Sequence, residues 1–218
     1  MARTSPLIKI LVAVGVLAVV GVLFIRSARS ARSAPYTVEQ ARLRNWTAVI
    51  VPAVGPTEPV LVLQPPPELV IGLFGQVFSR AMESLSRPAV PGIPLVLKGE
   101  LDRALAGRTT AEALAAAARS AGLEAAALEP KCLAYRRVSE PRGTWQLYFV
   151  IFDEPAFGRF REQIGTQAAG GGVASAVAFD PAALSPVLFV AASDPMFSRW
   201  LPLRADPQTD CVAPIAIR

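Results

Sequence analysis

The stretch LYFVIFDEPAFGRFR, residues 147–161, sets the interpretation of the whole chain. Its first six residues are apolar and rich in aromatic and β-branched types, which predicts a β-strand. Two acids and a proline follow, and these predict a helix start because a carboxylate caps free amides and proline suits the first helical position. The stretch therefore predicts a strand that leads directly into a helix.

A similar stretch, VLFVAASDPMFSRWL, begins 40 residues later in the chain. The aligned pairs of identical residues are Phe149 and Phe189, Val150 and Val190, Pro155 and Pro195, Phe157 and Phe197, and Arg159 and Arg199. A strand-type segment and a turn precede each stretch, which predicts a β-hairpin. The repeating unit is therefore a β-hairpin followed by a helix.

A more distant unit starts at Trp46, where WTAVIVPA, a turn and PVLVLQ lead into a helix over roughly 68–85. We predict an α+β fold, with an N-terminal transmembrane helix before one domain of two or three such units. The units would form an antiparallel sheet with helices on one face. The predicted domain covers 45–218, and its predicted units are 45–86, 131–166 and 172–203.

Two further elements are predicted between the first and second units. IPLVL, residues 93–97, has the apolar composition of a buried strand. Thr109 and Glu112 have the spacing of a capping box, in which each side chain satisfies a backbone amide of the first helical turn. We therefore predict a strand and, beginning near Thr109, a helix.

The N-terminal region is dominated by an apolar run. Residues 10–25 are 16 uninterrupted apolar residues, and counting back across Lys9 to Leu7 gives 19, a length that approaches the ~20 needed to span a bilayer core. We predict a transmembrane anchor over 1–26 and a polar basic tether over 27–44. The basic residues predicted at the membrane surface are Lys9, Arg26, Arg29 and Arg32. The alternative is a cleaved secretory leader, which the length of the apolar run disfavours.

Cys132 and Cys211 are the only cysteines in the chain. A lone pair in a secreted-type domain predicts a disulfide, and two separate buried thiols are the alternative. A disulfide favours an extracytoplasmic location, whereas the excess of basic residues after the apolar run favours the cytoplasm. We predict a single-pass protein of the bacterial inner membrane with a periplasmic domain, and the bias of 19 arginines against three lysines suggests the bacterial origin.

Charge and composition exclude several classes of function. The net charge of +5 comes entirely from residues before Asn45, because 15 basic and 16 acidic residues follow from that point. The domain therefore lacks the basic surface that nucleic-acid binding requires. The chain contains no histidine, the side chain most used in acid–base chemistry and metal binding. We accordingly predict no nucleic-acid partner, no cofactor and no metal.

The acids at the predicted strand ends have two interpretations. Asp153, Asp180 and Asp194, with Arg159 and Arg199 on the following helices, are the candidate residues of a ligand site. Each acid also precedes, by one or two residues, a proline that starts a helix or turn, so backbone capping is the competing and preferred explanation.

These observations predict a membrane-anchored, non-catalytic accessory subunit. Its partners would be the lipid bilayer and the other subunits of a larger bacterial membrane complex of respiratory, photosynthetic, transport or envelope type. The alternative is an extracytoplasmic domain that binds a small molecule or peptide, or an enzyme that works without histidine.

Overall fold

The computed structural model describes residues 6–81, 83–140, 143–169, 178–193 and 204–218, without side-chain positions for 6–12, 27–32 and 140. It divides into two compact units, Met1–Ala34 and Pro35–Arg218. Asp194 and Arg199, and part of the third predicted unit, lie outside the described residues.

The described residues of the first unit include helix α1 (Pro6–Ser33), whose large apolar side chains from Val14 to Ile25 are 53–70% exposed. In the described part of the chain, no helix combines the length and apolar character that crossing a membrane requires. The prediction of an N-terminal transmembrane helix is therefore wrong.

The second unit is α+β, as predicted. Its strands are β1 (Tyr36–Val38), β2 (Thr47–Ile50), β3 (Pro59–Gln64), β4 (Ile93–Leu97), β5 (Glu129–Glu140), β6 (Gly143–Asp153), β7 (Val187–Ala192) and β8 (Cys211–Ile217). Its helices are α2 (Pro67–Ala81), α3 (Ala111–Ser120), α4 (Pro155–Ala169) and the single turn α5 (Pro207–Asp210). Shorter helical turns occupy Gln40–Leu43, Glu100–Ala104 and Pro181–Ala183.

The strands form two sheets, so the prediction of a single antiparallel sheet is wrong. The larger sheet has the order β1-β8-β5-β6-β7 and is mixed, because β1 pairs with β8 in parallel while its other pairs are antiparallel. The smaller sheet has the order β2-β3-β4 and is antiparallel. The β2–β3 hairpin of the first predicted unit therefore lies in the smaller sheet, whereas the β5–β6 hairpin of the second predicted unit lies in the larger sheet.

Both faces of the central strands are buried, contrary to the prediction of helices on one face only. Tyr148, Val150 and Phe152 of β6 join a large core shared by both sheets and helices α2, α3 and α4. The alternate residues of β6, Leu147, Phe149 and Ile151, face the other way. They form a second cluster with Phe189 of β7. A strand buried on both faces shows a continuous apolar run rather than alternation, and LYFVIF is such a run.

The helix at 111–120 begins one residue later than its sequence pattern predicts. Thr110, rather than Thr109, is the N-cap, and its hydroxyl accepts a hydrogen bond from the amide of Ala113 at 3.3 Å. Glu112 is exposed, and hydrogen bonds from its own backbone amide and then from Thr110 hold its pKa below the ordinary value of 4.5. Glu112 therefore lies at the second helical position rather than the third, which is Ala113, so the predicted capping box does not form and only the threonine cap remains.

Thr110→Ala is expected to lower the free energy of unfolding by about 1 kcal/mol, because it leaves a first-turn amide of α3 without its cap. It should also raise the pKa of Glu112, which NMR titration would measure. Since the folded-state pKa of Glu112 is the lower one, its contribution to stability is present above 4.5 and is lost as pH falls through the lowered value. Thr109→Ala is the matched control, and equal losses of stability in both variants would contradict the assignment.

Candidate interaction surface

The predicted ligand-site residues that the structure describes do not converge. Asp153 is exposed at the end of β6, and Arg159 is exposed on α4. The carboxylate of Asp180 accepts a hydrogen bond from the amide of Ala182 at 2.9 Å and forms an ion pair with Arg204. Asp180 thus caps the turn Pro181–Ala183, which is the competing explanation given by the sequence.

A groove of about 490 Å³ lies at the start of α4. Of the described candidates, only Asp153 lines it, together with Lys131 and Glu162 and with prolines and apolar side chains. The neighbouring Glu154 caps α4 through the amide of Ala156 at 2.8 Å. Among the described residues, no group of three or more acids and cysteines is placed to hold a metal ion.

One arginine that the sequence analysis missed is fully buried. The Nε of Arg161 on α4 donates to the carbonyl of Pro181 at 2.8 Å, and Nη1 donates to that of Leu95 at 2.9 Å. Both Nη atoms bind the carboxylate of Glu100, at 2.6 and 3.3 Å, and Nη2 also donates to the carbonyl of Asp180 at 2.8 Å. All five N–H donors of the guanidinium therefore have acceptors. Arg161 ties α4 to the smaller sheet and to two connecting turns.

The sequence signal for the burial of Arg161 is its position in helix α4. Phe157, Phe160, Ile164 and Ala168 form the buried face of α4, and Arg161 falls on the same face. An arginine at helical spacing within an apolar stripe indicates a buried and paired cation, because an unpaired charge is too costly to bury.

The two cysteines lie on adjacent strands at disulfide-bonding distance, with Cα atoms 5.7 Å apart. Next to Cys211, the buried carboxylate of Asp210 accepts hydrogen bonds from Arg136 on β5 and from the amide of Asp206. The cysteine pair and this ion pair both hold β8 and its preceding turn against β5.

Helix α2 packs against the larger sheet and covers its open edge. Leu69, Leu73 and Val77 are among its buried residues. The side-chain amide of Gln76 accepts from the amide of Thr37 at 2.9 Å and donates to its carbonyl at 2.9 Å. Gln76 thereby satisfies both backbone groups of an edge residue of β1, which would otherwise be free to pair with another strand.

A second apolar surface of α2 flanks the buried face. We call it the α2 stripe: it consists of Pro67, Ile71, Phe74, Gly75 and Phe78, which recur at helical spacing. Ile71 is 53% exposed and Phe78 is 51% exposed, and the rings of Phe74 and Phe78 stack with their centres 5.7 Å apart. Single exposed apolar residues are common, whereas neighbouring ones on one helix face form a candidate interaction surface.

An apolar groove of about 480 Å³ continues the α2 stripe to one side. Ile71 and Phe74 form one wall, and Leu85, Pro88 and Pro91 are among the residues of the other. Arg87 also lines the groove, with its guanidinium 5.7 Å from the centre of the Phe74 ring. The stripe and groove together form a surface that another protein can cover.

Comparisons of the chain with protein-family models, curated proteins and solved structures gave no match. The geometry of the described residues therefore carries the functional argument.

Proposed function

We propose that the chain is a non-catalytic accessory subunit that packs against another subunit of a larger bacterial assembly through the α2 stripe. The observation that carries this proposal is the apolar face of α2, where Ile71 and Phe78 are each about half exposed. Burial of apolar surface of this kind is the main driving force of subunit association. Aromatic side chains such as Phe78 also contribute strongly to interfaces.

The acids of the domain support a structural rather than a catalytic assignment. Glu100 and Asp210 pair with arginines inside the fold, and Glu154, Asp180 and Asp206 each accept a hydrogen bond from a nearby backbone amide. These roles stabilise the domain and account for acids that a carboxylate-based mechanism would use.

The cysteine pair supports an extracytoplasmic location. Disulfides persist in oxidising compartments such as the bacterial periplasm and are rare in the cytoplasm. With Cys132 and Cys211 at bonding distance, we propose that the domain functions in the periplasm as part of an envelope assembly.

Phe78→Asp is expected to release the chain from its assembly. A charge at the centre of an apolar interface is costly to bury, and truncating a central aromatic residue commonly costs 2 kcal/mol or more of binding free energy. The measurement is the mass of the complex that contains the tagged chain after mild extraction from its source cells. Wild-type chain should run with a larger assembly, and the variant should run alone.

Gln167→Asp is the matched control, because it introduces the same charge on an exposed residue of a different helix, α4. This variant should remain in the assembly, and urea unfolding should show both variants folded. A wild-type chain that runs alone near 23.1 kDa, after allowance for bound detergent, would overturn the proposal. If the Phe78→Asp chain stayed in the assembly, the assignment of the α2 stripe as the contact surface would be wrong.

A further inference from the structure

We infer that the apolar groove beside α2 binds a small carboxylic acid with an apolar body, and that Arg87 pairs with its carboxylate. Ile71 and Phe74 of α2 form one wall of this groove, and Leu85, Arg87 and their neighbours form the other. The inference does not depend on the proposed function, since a small ligand and a partner subunit are different kinds of occupant.

Both walls of the groove are held by contacts within the chain. On one side, α2 packs into the core through Leu73 and Val77. On the other side, Leu85 is buried, and the amide and carbonyl of Ser86 pair with those of Ala192 on β7 at 2.8 and 3.0 Å. The groove is therefore formed by the fold itself, which lowers the ordering cost of binding.

The size and lining of the groove suit a small apolar molecule. Its volume of about 480 Å³ lies within the ~300 to 1,000 Å³ that is typical of small-molecule sites. Apart from Ser86 and Arg87, its described lining residues are apolar. Sites of this kind combine apolar walls with a few polar groups that orient the ligand. The walls therefore favour an aromatic ring or an alkyl chain.

Arg87 determines the charge of the ligand. Its guanidinium lies 5.7 Å from the centre of the Phe74 ring, within the ~6 Å of a cation–π contact. In the part of the chain that the structure describes, this guanidinium has no hydrogen-bond or ion-pair partner.

The groove thus offers one positive charge without a compensating acid, since no acidic residue is among its described lining residues. A planar guanidinium matches a carboxylate through two parallel hydrogen bonds. An apolar molecule with one carboxylate therefore complements the groove, whereas an amine would meet a like charge.

4-Phenylbutyrate tests the inference because it joins a phenyl ring to a carboxylate through a short alkyl chain. 4-Phenylbutanol is the matched neutral ligand with the same apolar body. Equilibrium dialysis of the full chain in a nonionic detergent, corrected against the detergent alone, would measure both affinities. The wild type should bind the acid about tenfold more tightly than the alcohol, the gain that one charge-assisted hydrogen bond provides.

Two variants separate the charge from the apolar wall. Arg87→Met should abolish the preference for the acid and leave the affinity for the alcohol unchanged, because methionine keeps an apolar stem without the charge. Ile71→Ala should weaken the binding of both ligands by about threefold to tenfold, because it removes apolar contact surface. Both residues are exposed, so urea unfolding should show both variants folded. Arg159→Met changes an exposed arginine outside the groove, and this control should bind both ligands as the wild type does.

Three results would overturn the inference. The first is a wild-type chain that does not bind the acid, and the second is one that binds acid and alcohol equally. The third is an Arg87→Met chain that keeps the preference for the acid, because the charge would then come from another residue.

The outcomes also distinguish this inference from the proposed function. A wild-type chain that runs alone yet prefers the acid would disprove the accessory role and leave the ligand site intact. If the acid did not bind and Arg87→Met left the assembly, the groove would hold an acidic side chain of the partner subunit. The inference would then be wrong and the accessory role would stand.

Discussion

Arg161→Met is expected to lower the free energy of unfolding by about 3 to 5 kcal/mol, the usual loss when one partner of a buried ion pair is removed. The variant leaves the carboxylate of Glu100 without its cation and three backbone carbonyls without their donors. Methionine fills much of the volume of the arginine stem but offers no hydrogen-bond donor. Urea unfolding followed by tryptophan fluorescence and circular dichroism would measure the loss.

Arg159→Met is the matched control for this prediction. Arg159 is on the same helix, two residues earlier, and its side chain is exposed, so its replacement should change the free energy of unfolding by less than about 0.5 kcal/mol. A similar loss in both variants would show that helix propensity, rather than the buried ion pair, is responsible. A loss below about 1 kcal/mol at residue 161 would contradict the role assigned to its five hydrogen bonds.

Two further variants separate charge from geometry. Arg161→Lys keeps the charge but provides three donors on one nitrogen, which cannot replace the planar array of five. It should therefore recover only a small part of the loss. The double variant Arg161→Met with Glu100→Met removes both charges, and it should be more stable than Arg161→Met alone because no carboxylate is left unpaired.

Replacing both Cys132 and Cys211 with alanine is expected to lower the free energy of unfolding by about 4 to 5 kcal/mol. The two residues are 79 apart in sequence, and a cross-link over a loop of that size lowers the entropy of the unfolded chain by the corresponding amount in the chain-entropy model. Urea unfolding with and without dithiothreitol would measure the effect. The reductant should destabilise the wild type by a similar amount and leave the double variant unchanged.

Thiol titration of unfolded protein from its source provides the control for the cysteine prediction. Blocked cysteines that titrate only after reduction would support both the bond and the periplasmic location. Two free thiols in native protein, or a double variant as stable as the wild type, would contradict them. This measurement does not depend on α2, so it tests the location separately from the interaction surface.

The sequence predicts those parts of the fold that depend on local pattern. The apolar run before Pro155 is a strand and the residues after it are a helix, and IPLVL is a strand. In each case neighbouring residues supply the cause, through apolar composition, a proline at the first helical position or a turn. Local patterns identify such elements because the relevant contacts lie within a few residues.

Pairing between distant segments could not be predicted in this way. β1 is three residues long, and its partner β8 begins about 170 residues later. Neither segment contains a signal of the other, so the mixed sheet was missed. The assignment of β2 and β3 to a separate sheet depends likewise on packing across the core rather than on their own residues.

The sequence predicts the α2 stripe only in part. α2 has more apolar residues than one face can hold, which indicates a second apolar face. The sequence cannot show which of the two faces the larger sheet covers. The same limit applies to Arg161, whose acceptors Leu95 and Glu100 come from segments about 60 residues earlier.

The parallel pairing of β1 with β8 determines how the domain resists tension. The amide of Arg218 donates to the carbonyl of Val38, and the amide of Gln40 donates to the carbonyl of Arg218, which extends the pairing of the two strands. A pull that enters at residue 35 and leaves at residue 218 acts on these strands in opposite directions along their length. Such a pull loads their hydrogen bonds together, in shear, rather than one after another. We therefore expect the domain to resist force applied between residues 35 and 218 more strongly than force that opens these bonds one after another, which single-molecule pulling would measure.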